Sequence, residues 1–205
     1  MQAEQFFYYK NFATKGKSLK VENSEFHRIS EKYIRNILTI LMKKYKLSNR
    51  QNDFSDSELK PLLKAGYMAV FKTALSLIEY KRVENQSPSD IWQLCFLFLN
   101  RSGLGKFQLI ETSEKKSTAR SYGSVEDRLY VELFGKSEFP VSAFTSGMIM
   151  ACHNISHNAV TILNQTKADE DVAKTDLFKY SIVKQSRCEA EDLSFSEFNV
   201  TTNQP

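Results

Sequence analysis

Proline and glycine are scarce in this chain, four and seven residues respectively among 205. So few turn-formers exclude a turn-dense all-β barrel. Cysteine occurs three times, as Cys95, Cys152 and Cys188. An odd count without paired spacing excludes a disulfide framework and favours a reducing compartment. Long apolar runs are also missing: the longest, Ile91 to Leu99, falls far short of the roughly 20 residues a spanning helix needs. Met1 to Tyr9 has no basic stretch ahead of its apolar residues, unlike a secretory signal. A cytoplasmic protein is the expectation, and sequons such as Asn164-Gln-Thr166 then carry no meaning for glycosylation.

What the chain has in quantity is rings. Fifteen Phe and nine Tyr stand against one Trp, and 41% of residues are hydrophobic. That is enough for a core, or a pocket, rich in aromatic side chains. The net charge of +4 is modest and gives no argument for nucleic acid. It is unevenly spread: residues 1–50 carry eleven Lys or Arg against four Glu, whereas from Gln185 onward one Arg faces four acids. A basic start suits anionic membrane surfaces, and equally a solvated helix face.

Along the chain, residues 1–23 read as a flexible basic arm. Phe26, Ile29, Tyr33, Ile37, Ile40 and Leu41 then recur at three and four, the helical period, over roughly 24–46. Ser55-Asp-Ser-Glu58 and Pro61 announce a second helix reaching about Val83, in which Gly66 sacrifices helix propensity and allows another element to approach closely. Ser87-Pro88-Ser-Asp90 opens a third, apolar nearly all round and stopped at Gly103. Lys106–Thr112, Ser117–Tyr122 and Arg128–Phe134 alternate as strands do. Pro140 opens a fourth helix with Phe144, Met148, Ala151, Cys152 and Ile155 on one face. Ala159–Gln165 and Leu177–Val183 read as further strands, and residues 185–205 as a disordered acidic tail.

Each chemical motif has a plainer explanation beside it. His153-Asn-Ile-Ser-His157 has the one-turn spacing of a zinc pair. It lacks the glutamate of a zinc peptidase and any third ligand, so two exposed helix-end histidines are expected instead. Ser102-Gly-Leu-Gly-Lys106 has phosphate-loop glycines in inverted context, after a helix and before a strand. Cys152 and His153 are helical neighbours pointing about 100° apart, which excludes a nucleophile–base pair. Glu126-Asp127 and Asp169-Glu-Asp171 read as solvated charged turns. No catalytic residue, metal ligand or cofactor site emerges, and the chain reads as a non-enzyme. Phe71, Phe96, Phe98, Phe144, Met148 and Met150 either fill an ordinary core or line a cavity for an apolar ligand.

The order of these features resembles the 4-vinyl-reductase domain family, which shares its fold with the TRAPP vesicle-tethering subunits. The resemblance spans roughly residues 25–184. Gly103-Leu-Gly105 resembles the family's Gly-x-Gly entry to its sheet, and Pro140-Val-Ser-Ala-Phe144-Thr-Ser-Gly147 its Pro-Val-Cys-x-Phe-x-x-Gly helix start. Val160–Lys167 resembles its outgoing strand, and Phe178 the phenylalanine of its Cys-x-Phe. Ser142, Ala168 and Asp176 stand where the pattern has cysteines and Gln165 where it has glutamate, so a metal or thiol site built on those positions is lost. The resemblance implies one α+β domain over 24–184, a helical layer packed on a small twisted antiparallel sheet. It also implies a pocket for a hydrophobic small molecule, lipid or acyl chain, with the chain acting as sensor or accessory protein. Phe96, Phe98, Phe144, Met148 and Ile162 are the candidate ligand-binding residues. The alternative is a tethering-like assembly subunit, a homodimer or hetero-oligomer member whose basic start meets anionic membrane.

Overall fold

A computed structural model describes residues 35–43, 59–81, 87–101, 103–168 and 181–202, with the side chains of 72–81 and 158–168 left aside. The basic arm, the start of the first helix, the acids Asp169–Asp171, and Asp176 lie outside the described residues. Helix α1 covers 35–43, α2 Lys60–Lys81, α3 Pro88–Arg101, α4 Val125–Phe134 and α5 Ala143–Ala168. Strands β1 (Lys106–Thr112), β2 (Lys116–Tyr122), β3 (Ser181–Arg187) and β4 (Ser196–Thr202) form one antiparallel sheet in the order β1-β2-β4-β3. This is the expected α+β architecture.

Several expected boundaries hold for the expected reasons. Ser87 caps α3 through reciprocal bonds with Asp90: the Asp90 amide donates to Ser87 Oγ at 3.3 Å, and the Ser87 amide donates to Asp90 Oδ2 at 3.1 Å. Gly103 leaves the helix at φ 76°, a conformation that favours glycine. The edge of β1 is covered at Phe107, whose amide donates to Asn100 Oδ1 at 2.5 Å while its carbonyl accepts from Asn100 Nδ2 at 3.2 Å. Such a clasp, with a bulge between Leu109 and Glu111, blunts an open strand edge.

Three expectations are corrected. Residues 128–134 are helical, not extended: Ser124 caps α4 by accepting from the Asp127 amide at 3.4 Å, and Leu129 and Tyr130 turn inward at helical spacing. Ala159–Gln165 continues α5 rather than forming a strand, since no proline or glycine interrupts it. The segment from Gln185 completes β3, makes a 3-10 turn at Glu189–Glu191 and returns as β4, an inner strand. Phe198 and Val200 are fully buried there.

Helix α5 is the axis of the molecule. Every residue from 143 to 156 is buried, with α2 and α3 packed against it and the sheet beneath. Two glycines permit the α2–α5 approach. A Cβ on Gly66 would stand 1.9 Å from the Phe144 carbonyl oxygen, and one on Gly147 would stand 1.9 Å from that of Leu63. The helices therefore meet backbone to backbone, as the low-propensity Gly66 suggested. None of the described helices is long and apolar enough to cross a membrane.

Gly66→Ala and Gly147→Ala should each destabilise the protein by about 2–4 kcal/mol through backbone displacement, despite alanine's better helix propensity. Urea unfolding measures this, and an unchanged or raised midpoint would show that the helices are not in such contact.

Candidate functional site

Where α5 begins, the chain must satisfy amides that no water reaches. Glu126, in the first turn of α4, does this: its two carboxylate oxygens accept from the amides of Phe144 at 2.8 Å and Thr145 at 2.7 Å. Asp127 beside it accepts from Ser196 Oγ at 2.7 Å, from Cys188 Sγ at 3.5 Å and from Ser142 Oγ. Gln185 then holds Ser142, accepting from its amide at 3.0 Å and donating to its hydroxyl at 2.7 Å. Glu189 closes the far side, accepting from the amides of Gly123 at 2.6 Å and Ser124 at 2.8 Å. The expected solvated turn at Glu126-Asp127 is thus a fully buried acid pair. Burial, then the charge of Asp127, pushes Glu126 up to about 8 against its two amide donors. Burial also raises Asp127, opposed by Ser142, Ser196 and Cys188, and raises Cys188 to about 12. These groups are partnered throughout and serve the fold.

The histidines lie at the other end of the sheet and are not exposed helix-end residues. His153 is buried, with Nδ1 2.8 Å from Ser117 Oγ and Nε2 3.0 Å from Thr202 Oγ1. His157 Nε2 lies 3.0 Å from Thr112 Oγ1, and the two rings sit 4.7 Å apart. Burial, then the His157 charge, lowers His153 to about 3, so it is neutral and held by hydroxyls. Among the described residues no three His, Cys, Asp or Glu side chains gather as a metal site. Of the positions where the resemblance has cysteines, Ser142 precedes α5 and Ala168 closes it, about 39 Å apart at 1.5 Å per residue.

Against this satisfied background, three buried polar atoms stand out. Trp92 Nε1, Ser121 Oγ and Ser146 Oγ have no hydrogen-bond partner among the described residues, and all three side chains are 0% exposed. Each such atom costs roughly 1–3 kcal/mol if left unpaired.

Two of them, Ser121 and Ser146, lie toward the same end of the sheet. Helix α5 crosses the sheet from the Ser121 end, where Asp127 links Ser142 to Ser196 and Ser196 pairs with Ser121, to the Ser117 end held by His153. Ser146 lies two turns before His153 on the same sheet-facing side. Ser121 and Ser117 share the inner face of β2. Trp92 lies 5.0 Å edge-on to Phe96, which lies 6.0 Å from Phe107, itself opposite Ser121 in the sheet. Ile149, also buried, lies one turn beyond Ser146.

Of the five residues expected to bind ligand, Phe96 packs on Trp92. Phe144 and Met148 are buried but sit about 200° around α5 from Ser146, on the side away from the sheet. Phe98 is half-buried, about 200° around α3 from Phe96. Ile162 belongs to helix rather than strand, about 21 Å along α5 from Met148, and its side chain lies outside the described ones. Trp92, Ser121 and Ser146 were missed. A lone tryptophan in an all-round apolar helix was the one available signal, since a serine on a strand or helix reads as solvent-facing.

No family model matches the chain, and no curated protein matches it. Among solved structures it is similar to the phenol-responsive sensory domain of the transcription activator PoxR, crystallised with phenol. The TM-score is 0.59 at 8% identity, covering 82% of this chain and 73% of that one. At this identity the likeness concerns the fold.

The buried groups set an expected pH profile. The native histidines bind protons more weakly than in the unfolded chain: His153 falls from 6.5 to about 3, and His157 shifts the same way. Their stabilisation is present above pH 6.5 and lost as pH falls toward 3. Glu126, raised from 4.5 to about 8, acts oppositely, and Asp127 shifts with it; stability from these acids is lost as pH rises from 4.5 to 8. Urea midpoints should therefore peak between about pH 4.5 and 6.5 and decline on both sides. A steady climb to pH 8 would contradict the buried acid pair.

Proposed function

We propose that this chain is a non-enzymatic small-molecule-binding domain, acting as a sensor or accessory protein. Its ligand is held in the interior where α3, β1, β2 and the first turns of α5 meet. The observation that carries this reading is the presence of three unpartnered buried groups, Trp92 Nε1, Ser121 Oγ and Ser146 Oγ, with Trp92 packed edge-on to Phe96. Buried polar atoms are ordinarily paired, and here the acids, histidines and Gln185 around them all are. Three exceptions within one core fit an interior whose remaining partner is a ligand.

The shared fold with a sensory domain crystallised with phenol supports the same reading. Affinity comes mainly from apolar burial, at about 25 cal/mol per Å² before the costs of association. The titratable groups are ill suited to catalysis, since Glu126, Asp127 and His153 all hold structural bonds and face no common reacting atom.

Trp92 is the chain's sole tryptophan, so its fluorescence reports on the site directly. Titration with phenol and with toluene should give a saturable change in emission, and native mass spectrometry of protein from cells should show a bound small molecule. A folded protein with no saturable response to either probe, and only apo mass, overturns the proposal.

A further inference from the structure

We infer that His157 and His153 are the two ends of a proton relay. His157 Nδ1 takes a proton from water, and the hydroxyls of Thr112 and Ser117 pass it inward to His153. The inference stands apart from the ligand reading above, which uses none of these residues.

The direction of every bond in the chain follows from one end. The Glu114 backbone carbonyl can only accept, so the Thr202 hydroxyl donates to it at 2.6 Å. With its single proton spent, Thr202 accepts from His153 Nε2–H at 3.0 Å. His153 is neutral, so its Nδ1 carries a lone pair and accepts from the Ser117 hydroxyl at 2.8 Å. Ser117 in turn accepts from Thr112 at 2.8 Å, and Thr112 from His157 Nε2–H at 3.0 Å. Both rings are thereby fixed as Nε2–H tautomers. His157 Nδ1 keeps its lone pair on a ring that is half-buried rather than sealed, and makes no bond among the described residues.

The same atoms support the opposite direction without moving. A proton from hydronium binds His157 Nδ1, leaving water behind. The His157 Nε2 proton passes to Thr112, that of Thr112 to Ser117, and that of Ser117 to His153 Nδ1. His157 ends neutral with its proton on Nδ1, His153 ends as an imidazolium, and each intervening bond has reversed yet stays made. On the β1–β2 turn the Glu114 charge favours a proton on His157. Lys115 of that turn is exposed, and Lys116 pairs with Glu111 at 2.8 Å. Helix α5 has no charged side chain from 143 to 157, and the strands β4 and β3 present Thr202 and Ser181 at this end. Burial disfavours charge on both rings, and His153 is the more deeply sealed. The relayed proton therefore rests mainly on His157 and visits His153.

Long-range proton–nitrogen NMR of the imidazoles in the full chain tests this. Above pH 6.5, where both rings are neutral, each should show the Nε2–H pattern. Thr202→Val removes the acceptor at the inner end and should turn both rings to Nδ1–H, including His157, whose own bond is to Thr112. Thr202→Ser restores the hydroxyl and should restore both Nε2–H patterns. Ser117→Ala cuts the path: His153 should stay Nε2–H while His157 divides between its tautomers. Below pH 6.5, His153 Nδ1 should shift in step with His157, and Ser117→Ala should abolish that shared step. An Nδ1–H pattern at either ring of the wild-type chain overturns the inference, as does a Thr202→Val protein in which His153 alone changes. If Thr202→Val fails to fold, Ser117→Ala decides: a His157 that keeps its wild-type tautomer overturns the relay.

Discussion

The complete burial of the first half of α5 is the constraint to which the rest of the structure answers. A helix start sealed from water presents amide groups that something in the protein must accept. Glu126 supplies the acceptor, which requires a carboxylate to be buried as well. Its neighbour Asp127 is drawn inside with it and needs Ser142, Ser196 and Cys188 as donors. Those donors come from the loop before α5 and from either side of the 3-10 turn, so three distant stretches of chain are fixed by one requirement. On the opposite side the same helix is so close to α2 that only glycine fits at the crossing. Asn154 adds a bridge between the layers, donating to Tyr67 Oη at 3.1 Å and accepting from Ser181 Oγ at 2.7 Å.

This division of labour separates scaffold from site. Polar groups that hold α5 in place are paired to the last atom, and their chemistry is spent on the fold. The outer face of the sheet is likewise self-satisfied: Thr118 donates to Glu111 and Asn199, Arg120 pairs with Glu197 at 2.8 Å, and Arg120 lies over the Phe195 ring. Among the described residues the unpartnered buried side-chain atoms are Trp92 Nε1 on α3, Ser121 Oγ on β2 and Ser146 Oγ on α5. The first turns of the central helix carry Ser146 and its later turns His153 and His157, so the helix is in contact with both ends of the sheet.

Much of the framework was legible because it is local. The Ser87–Asp90 cap, the left-handed Gly103 and the alternation of Lys106–Thr112 depend on neighbours a few residues away, as does the low propensity of Gly66. The errors share a different origin. Leu129, Val131 and Leu133 alternate like a strand, but Ser124 with Asp127 three residues later makes a cap, and the helix it starts buries Leu129 and Tyr130 together. Ala159–Gln165 has strand-like composition yet continues a helix already nucleated upstream. In the last segment acidic residues obscured an alternation in which Ser196, Phe198 and Val200 face inward while Glu197 and Asn199 face out. The acid pair was illegible, because its burial is decided by partners 15 to 69 positions away. Phe96 packs on Trp92 within the apolar α3, whereas Phe144 and Met148 lie on the side of α5 away from the sheet, a placement their residue types alone do not reveal.

The strand order has a consequence for how the chain assembles. β1 and β2 are joined by a short turn and can pair as soon as both exist. β3, by contrast, touches the rest of the sheet only through β4, which follows it in the chain. Until Ser196–Thr202 has slotted between its neighbours, β3 has no ladder to join and Asp127 lacks one of its donors. Closure of the sheet is therefore a late, long-range event. A nascent chain emerging from the ribosome holds its helices and first hairpin in waiting until the keystone strand arrives.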